Sequence, residues 1–179
     1  MIYLFLAPGF EETEAICTLD LLRRGGLEVQ TVAVGTDSLQ VPSTRGVTVT
    51  ADLSLSDAER TLPLGVVLPG GLPGADNLNV PAIHRILNGV NENGGLLAAI
   101  CAAPYVLGQQ GLLKGKKATC YPGFEEHLKG ADIQKLPVVC DQNVITAMGM
   151  GASIPFGLAI VAYFKGSECA ERIKAAIFA

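Results

Sequence analysis

The chain has 179 residues, of which 49% are hydrophobic and 17% are charged, and its net charge is -4 at pH 7. This length is typical of one domain, and a chain this hydrophobic is expected to bury a core rather than remain disordered. The acidic balance, the absence of tryptophan and an aromatic content of 6% argue against surfaces that bind nucleic acid or anionic membranes. We therefore expect a single domain over residues 1–179 whose partners include neither nucleic acid nor membrane.

The amino terminus and the cysteines both indicate a cytoplasmic protein. Residues 1–7 are apolar, but they lack the basic region of a secretory signal and run directly into Pro8 and Gly9. No apolar stretch reaches membrane-spanning length without a proline, a glycine cluster or a charge. Five cysteines without a C-x-x-C spacing, and only two histidines, predict neither a disulfide framework nor a metal site.

The first fifty residues predict a strand, a helix, a second strand and a hairpin. The apolar run at 2–7 is followed by a helix with an acidic first turn, and this helix ends at the glycine pair 25–26. Residues 27–34 supply the next strand, and alternating valines at 39–50 predict a short hairpin. In the acidic turn, Glu11 and Glu12 are interpreted as solvated charges that the helix dipole stabilises.

A glycine-rich connection follows the next predicted strand. Residues 64–68 are fully apolar, and the loop at 69–74 contains four prolines and glycines in its first five positions. Such a loop frees backbone N-H groups to point at an anion. It matches neither a Walker loop nor a dinucleotide-binding fingerprint, so no nucleotide cofactor is expected. Pro81 then opens a helix whose apolar face ends near Asn93.

Cys101 lies where a buried strand is expected to meet a helix. Residues 96–100 are apolar throughout, and Pro104 is tolerated only in the first turn of the helix that follows. At such an elbow, unpaired backbone N-H groups and the helix dipole favour the thiolate form of cysteine. The alternative is a small core residue, because free cysteine is among the most buried residue types.

The last third of the chain predicts one more hairpin and two helices. Residues 114–120 are interpreted as a strand, and 137–146 as a hairpin around a polar turn. The glycine-containing stretch 148–151 predicts a flexible loop. An apolar helix over 156–164 follows, and Ser167 is expected to cap a last helix.

Apolar strands that alternate with helices predict a doubly wound α/β domain with a mainly parallel sheet and helices on both faces. Sites in such sheets lie beyond the carboxyl ends of the strands. Glu14, the pair Gly70 and Gly71, and Cys101 follow three different predicted strands. We therefore expect these residues to lie at the same edge of the sheet.

Three motifs in these positions resemble the DJ-1 branch of the ThiJ/PfpI superfamily. They are Leu-Ala-Pro-Gly-Phe-Glu-Glu-Thr-Glu-Ala at 6–15, Val-Leu-Pro-Gly-Gly at 67–71 and Ala-Ala-Ile-Cys-Ala-Ala-Pro at 98–104. The resemblance covers nearly the whole chain, including Ser-Thr-Arg-Gly at 43–46. It implies a flavodoxin-like sandwich, a homodimer, and chemistry without a metal or other cofactor.

The resemblance also implies roles for the residues at the sheet edge. Cys101 is similar to the family's oxidisable nucleophile, and Glu14 to the carboxylic acid that contacts its sulfur. Gly70, and the backbone N-H groups of Gly71 and Ala102, resemble the family's oxyanion or sulfinate pocket. Because a thiolate and a carboxylate in contact cannot both be comfortably ionised, we predict a Cys101 thiolate hydrogen-bonded by a protonated Glu14.

The chain departs from some family members at Tyr121-Pro122, where those members have a histidine before the proline. Tyr121 could donate a hydrogen bond to a substrate, but an ordinary tyrosine pKa of about 10 makes it a poor base near neutral pH. A wall of the pocket is the alternative interpretation of Tyr121.

Met148 is expected on a pocket-side loop, whereas His127 is interpreted as part of a solvated turn. The remaining cysteines, at positions 17, 120, 140 and 169, are interpreted as structural.

Two functions remain open from the sequence. The first is glyoxalase or deglycase chemistry, in which the Cys101 thiolate attacks a small reactive carbonyl such as a 2-oxoaldehyde and Glu14 transfers protons. The second is an oxidative-stress sensor or redox-regulated chaperone, in which Cys101 is oxidised to a sulfinate without significant turnover. Both hypotheses use the same site.

Overall fold

A seven-stranded sheet runs through the centre of the protein in a computed structural model that describes residues 1–179. The chain has further strands that form two separate two-stranded sheets. All strands, in chain order, are β1 Ile2–Leu6, β2 Val29–Ala33, β3 Gln40–Pro42, β4 Thr48–Thr50, β5 Leu53–Ser54, β6 Gly65–Leu68, β7 Leu96–Ile100, β8 Lys117–Ala118, β9 Asp132–Ile133, β10 Val138–Asp141 and β11 Val144–Ala147. The two small sheets pair β3 with β4 and β8 with β9. The helices are α1 Glu12–Arg24, α2 Leu55–Ala58, α3 Gly74–Asn77, α4 Pro81–Glu92, α5 Pro104–Gln109, α6 Ser153–Lys165 and α7 Ser167–Ala176. Single turns of 3-10 helix occur at Glu125–His127 and Met150–Ala152.

The order of the strands in the sheet is β10-β11-β7-β6-β1-β2-β5. Every neighbouring pair is parallel except β10 and β11, which form the antiparallel edge. The mainly parallel sheet confirms the predicted α/β architecture. From β1 the chain continues to β2 and β5 on one side of the sheet and then returns to β6 and β7 on the other side of β1. The strand order therefore reverses between β1 and β6. Ligands of open α/β sheets bind outside the carboxyl ends of the strands at such a reversal.

Each face of the sheet is covered by its own hydrophobic core. Side chains alternate along β1, so Tyr3 and Phe5 join a core with α4 and α5, whereas Leu4 and Leu6 join a core with α1 and α6. Phe156 of α6 is fully buried in the second core. None of the helices combines the length and the hydrophobicity that crossing a membrane requires.

Both predicted hairpins are confirmed. Strands β3 and β4 pair antiparallel with Val41 opposite Val49, and β10 pairs with β11. Gln142 in the second turn has a φ of 53°. This left-handed conformation suits a two-residue hairpin turn, because it matches the twist of the flanking strands.

Three local predictions are wrong. The strand expected at 114–120 is reduced to β8, because Gly115 has a φ of 75° and its N-H bonds Gly130 in a turn. The expected loop at 148–151 instead enters the 3-10 helix that leads into α6. Ser167 is the first residue of α7 rather than its cap, because Gly166, with a φ of 84°, ends α6 and precedes α7 directly.

Candidate active site

Cys101 stands at a tight turn between β7 and α5, as predicted. Its φ of 65° is in the left-handed region, which is a strained conformation for a residue with a side chain. Two backbone hydrogen bonds hold it there: the Cys101 N-H donates to the Ala147 carbonyl at 2.9 Å, and the Tyr121 N-H donates to the Cys101 carbonyl at 2.8 Å. The turn therefore presents the partly buried sulfur at the carboxyl end of the sheet.

Glu14 reaches the same place from the first turn of α1. Its side chain is only 1% exposed, and its Oε2 accepts a hydrogen bond from the Gly70 N-H at 2.8 Å. Its Oε1 is buried and has no hydrogen-bond partner. A buried carboxylate oxygen without a donor is costly, whereas a protonated oxygen could itself donate to the neighbouring sulfur.

Gly70 packs against both Cys101 and Glu14. A methyl group on its Cα would lie 2.6 Å from Cys101 Cβ and 2.8 Å from Glu14 Oε2, so no residue with a side chain fits. The next residue, Gly71, has a φ of 86°, and a methyl group there would lie 2.5 Å from the Glu11 nitrogen. The glycine pair thus allows the backbone to approach both site residues closely.

The pKa of Glu14 is raised to about 7, mainly because the carboxyl group is buried. The hydrogen bond from Gly70 opposes this shift, and the nearby Glu11 carboxylate adds to it. Glu11 is the N-cap of α1, and its side chain accepts the Glu14 N-H at 2.6 Å. Glu11 thus acts at the helix start, as interpreted, but as a partly buried cap with a direct hydrogen bond and not only as a solvated charge. Sequence reasoning missed this because glutamate is not among the residues preferred at helix N-caps.

The pKa of Cys101 is also raised, to about 12, first by burial and then by the negative charge of Glu14. The N-H groups of Gly71 and Ala102 hydrogen-bond the sulfur and lower the pKa, as the elbow predicted. Burial and the Glu14 charge outweigh these hydrogen bonds, so the pKa of Cys101 lies above its ordinary value, in contrast to the lowering expected from the elbow alone. The physical reason is that the space between Cys101 and Glu14 accommodates one negative charge but not two. The first proton that the pair loses comes off near pH 7.

Tyr121 and Met148 lie in an adjoining cavity rather than against the sulfur. This cavity, of about 470 Å³, is also lined by Pro122, Pro137 and Gly149, but neither Cys101 nor Glu14 lines it. The Tyr121 side chain is 51% exposed, and its ring packs beside Gly149. The backbone bond from Tyr121 to Cys101 makes this cavity the immediate neighbour of the elbow.

The other cysteines form no disulfides, and their burial differs. Cys120 is buried, as expected for a structural residue, whereas Cys140 on the edge strand β10 is exposed. Cys17 and Cys169 are partly buried. No three His, Cys, Asp or Glu side chains in the chain are grouped as metal ligands.

One family of known proteins matches most of this chain. The model of the DJ-1/PfpI family matches residues 1–163. The chain belongs to the DJ-1/PfpI family. It is 41% identical over 175 residues to the Parkinson disease protein 7 homolog of Danio rerio, covering 95% of this chain and 92% of that protein. It is 34% identical over 161 residues to a Caenorhabditis elegans protein named glutathione-independent glyoxalase DJR-1.2, covering 88% of this chain and 84% of that one.

The fold is also that of solved DJ-1 structures. The oxidized form of Toxoplasma gondii DJ-1 superposes with a TM-score of 0.94 and 33% sequence identity, over 99% of this chain and 97% of that one. Together with the sheet order described above, this similarity confirms the α/β sandwich expected for this DJ-1/PfpI protein.

Proposed function

We propose that this DJ-1/PfpI protein is a glyoxalase or protein deglycase that converts 2-oxoaldehydes, or their adducts, through Cys101 without a cofactor. One observation carries the proposal: a buried carboxyl group with a pKa of about 7 lies beside a cysteine on a strained elbow. A general acid or base works best when its pKa is near the working pH. The glyoxalase name of the Caenorhabditis elegans relative supports the same reaction class.

In the first step, the Cys101 sulfur attacks the aldehyde carbon of a 2-oxoaldehyde such as methylglyoxal. A carbon–sulfur bond forms, and the ionised Glu14 takes the thiol proton. The attack therefore needs no free thiolate before the substrate arrives, which is consistent with the raised pKa of Cys101. The new oxyanion accepts hydrogen bonds from the N-H groups of Gly71 and Ala102, which already point at the sulfur. Glu14 then returns its proton to the oxyanion, which completes the hemithioacetal.

In the second step, the ionised Glu14 takes the proton from the former aldehyde carbon and delivers it to the neighbouring carbon, while the hydroxyl proton of the first carbon passes to the oxygen of the second. This transfer turns the hemithioacetal into a thioester of a 2-hydroxy acid. Water then hydrolyses the thioester and regenerates the Cys101 thiol, so the net reaction adds one water and needs no oxidant or reductant. With a hemiaminal adduct as substrate, the sulfur forms the same carbon–sulfur bond while the carbon–nitrogen bond breaks, and Glu14 passes the thiol proton to the leaving amine.

The adjoining cavity is the proposed place for the rest of the substrate. Tyr121 and Met148 form an apolar wall beside the elbow, and an adduct larger than methylglyoxal needs such additional space. Lactate production in variants tests the proposal. Cys101→Ala should abolish activity, and Glu14→Gln should reduce it roughly 10²- to 10⁴-fold, the usual contribution of a general acid or base.

Two matched variants test whether a loss of activity is specific to the substituted site residues. Glu28→Gln makes the same change on an exposed glutamate, and Cys140→Ala removes an exposed cysteine. Both should retain wild-type activity. Full activity in Cys101→Ala and Glu14→Gln would contradict the proposal.

We also propose that the protein forms a homodimer. Ile16 on α1 is 39% exposed, and Val47, beside the β3–β4 hairpin, is 49% exposed. Backbone pairing between Phe10 and Ser43 holds this hairpin next to the start of α1, so both apolar side chains belong to neighbouring segments. Light scattering should give twice the 18.7 kDa mass of one chain, and the Ile16→Glu and Val47→Glu substitutions should shift the mass toward the monomer.

A second function, redox sensing, uses the same sulfur. The N-H groups of Gly71 and Ala102 that bond the sulfur could also bind the oxygens of a Cys101 sulfinate, and protonated Glu14 could donate to it. Mild peroxide should then add two oxygens to Cys101 and none to the exposed Cys140. Equal oxidation of both cysteines would contradict this function.

A further inference from the structure

A second cavity, separate from the Cys101 site, lies between α3, α5 and the 3-10 turn at Glu125–His127. Its volume is about 400 Å³. Its lining combines polar and aromatic side chains: Asp76, Asn79, Tyr105, Gln109, Phe124 and His127. Tyr105 and Gln109 are four residues apart on α5 and therefore share one helix face. The proposed catalytic chemistry uses none of these residues.

The rings form one continuous aromatic wall. The ring centroid of Tyr105 lies 6.2 Å from that of Phe124 and 5.9 Å from that of His127, and Phe124 and His127 are 6.0 Å apart. The interpretation of His127 as part of a solvated turn is therefore incomplete, because its ring is packed against two others. The aromatic rings present π-electron surface, which attracts positive charge.

The polar side of the cavity offers two hydrogen-bond acceptors, Asp76 and Gln109, and the Asp76 carboxylate has no cationic partner. The Tyr105 hydroxyl donates to Asp76 Oδ1 at 2.9 Å, and this bond leaves Asp76 Oδ2 without a partner. No lysine or arginine lines the cavity, and Asp76 takes part in no salt bridge. Gln109 Oε1 accepts one hydrogen bond, from Asn79 at 2.8 Å, and a carbonyl oxygen can accept a second.

We propose that this cavity binds a guanidinium group. A planar cation would stack on the aromatic wall and donate hydrogen bonds to Asp76 Oδ2 and to Gln109 Oε1. It would therefore use both the aromatic side and the polar side of the cavity. An anionic ligand is disfavoured, because it would meet the unpaired Asp76 carboxylate and neither a lysine nor an arginine side chain. The guanidinium could belong to a small molecule or to an arginine side chain of a peptide.

The proposed site is independent of Cys101 chemistry and goes beyond the proposed function. It is held together by the bond from Tyr105, which is only 6% exposed, to Asp76 on α3. The shape of the cavity therefore depends on packing between α3 and α5. A failure of the glyoxalase proposal would leave the guanidinium site unaffected, because no catalytic residue lines it.

Backbone amide chemical shifts of the full chain, titrated with N-methylguanidinium, test the proposal. Shifts should concentrate at the residues that line this cavity. N-methylurea, a neutral molecule of nearly the same shape, should bind much more weakly, because the unpaired carboxylate attracts only the cation. Equal shifts with both probes would overturn the proposal, as would N-methylguanidinium shifts that fall only elsewhere.

Matched variants separate the charge from the aromatic wall. Asp76→Asn should weaken N-methylguanidinium binding about fivefold, the size expected for an exposed ion pair, whereas Asp37→Asn, on an exposed loop that does not line the cavity, should leave it unchanged. Phe124→Leu should weaken it about threefold by removing a π face while keeping apolar volume. Wild-type affinity in Asp76→Asn would overturn the proposal.

A blocked tripeptide with a central arginine distinguishes the two sources of the guanidinium. Tighter binding of this peptide than of N-methylguanidinium would identify an arginine side chain as the ligand, and a citrulline peptide should then bind weakly. Equal affinity of the two probes would identify a small cation. Equal binding of the arginine and citrulline peptides would contradict the guanidinium proposal.

Discussion

Glu14 and Cys101 are hydrogen-bonded neighbours, and Gly70 packs against both, its N-H donating to the Glu14 carboxyl at 2.8 Å. Gly70 is so close to both that a methyl group on its Cα would lie within 3 Å of each side chain. The two acidic groups are therefore buried together: burial raises the pKa of both, the Glu14 charge raises that of Cys101 further, and the hydrogen bond from Cys101 lowers that of Glu14. This coupling determines which proton is available for catalysis.

The buried carboxyl group of Glu14 should make stability depend on pH. Its pKa is about 7 in the folded protein and about 4.3 in an unfolded chain, so the folded state binds more protons between these values. Stability should therefore fall as pH rises from about 4 to about 7, by about 4 kcal/mol at 1.36 kcal/mol per pKa unit. Urea unfolding across this range should show the loss in wild type and not in Glu14→Gln. A constant difference between the two would contradict the burial argument.

Substitution of Gly70 should damage the site more than substitution of another loop glycine. In Gly70→Ala, the new methyl group would collide with Cys101, Glu14 and the Ile100 carbonyl, so we expect a loss of about 1–3 kcal/mol and of activity. Gly151→Ala is the matched control, because nothing lies within 4 Å of the added group. Its effect should stay within about 0.5 kcal/mol. Equal stability of the two variants in urea would show that Gly70 is not closely packed.

Removal of the Glu11 charge should move the pH profile of catalysis. The Glu11 carboxylate raises the pKa of Glu14, so Glu11→Gln should shift the rise of activity with pH toward lower pH. The glutamine oxygen can still accept the Glu14 N-H, which preserves the helix cap. Glu12→Gln, on the same helix turn, is the control that should leave the profile in place. An unshifted profile in Glu11→Gln would contradict this electrostatic effect.

Tyr121 should contribute its ring rather than its hydroxyl. Its ring packs beside Gly149 in the adjoining cavity, which does not include Cys101 or Glu14. Tyr121→Phe should therefore keep the wild-type kcat and KM, whereas Tyr121→Ala should raise KM for amine adducts more than for methylglyoxal. A large loss of kcat in Tyr121→Phe would instead identify the hydroxyl as a proton donor.

The sequence predicted the elements that position the site because each one has a local signal. Buried parallel strands appear as continuous apolar runs, so β1, β6 and β7 were found close to their observed bounds. Pro104 after the run at 96–100 predicted the elbow at Cys101. The alternation of strands with helices then placed Glu14 and Gly70 at the same sheet edge.

Other features could not be predicted, because they depend on burial and on contacts between distant segments. The direction of the Cys101 pKa shift is a balance between N-H donors and burial, and only the three-dimensional structure gives the depth of burial. The second cavity joins Asp76, Tyr105 and His127 from three separate segments, and no spacing in the sequence connects them. The N-cap of α1 could not be predicted either, because Glu11 is not one of the residue types that helix N-caps prefer.

The pH dependence of Cys101 alkylation by iodoacetamide tests the coupling of the two groups most directly. In the wild type, the rate should rise through about pH 7, because Glu14 becomes available as a base for the thiol when it ionises. In Glu14→Gln, this inflection should disappear and the rate should follow the thiol's own ionisation. Identical profiles in the two proteins, with no inflection near pH 7 in either, would contradict the proposal that Glu14 controls the proton of Cys101.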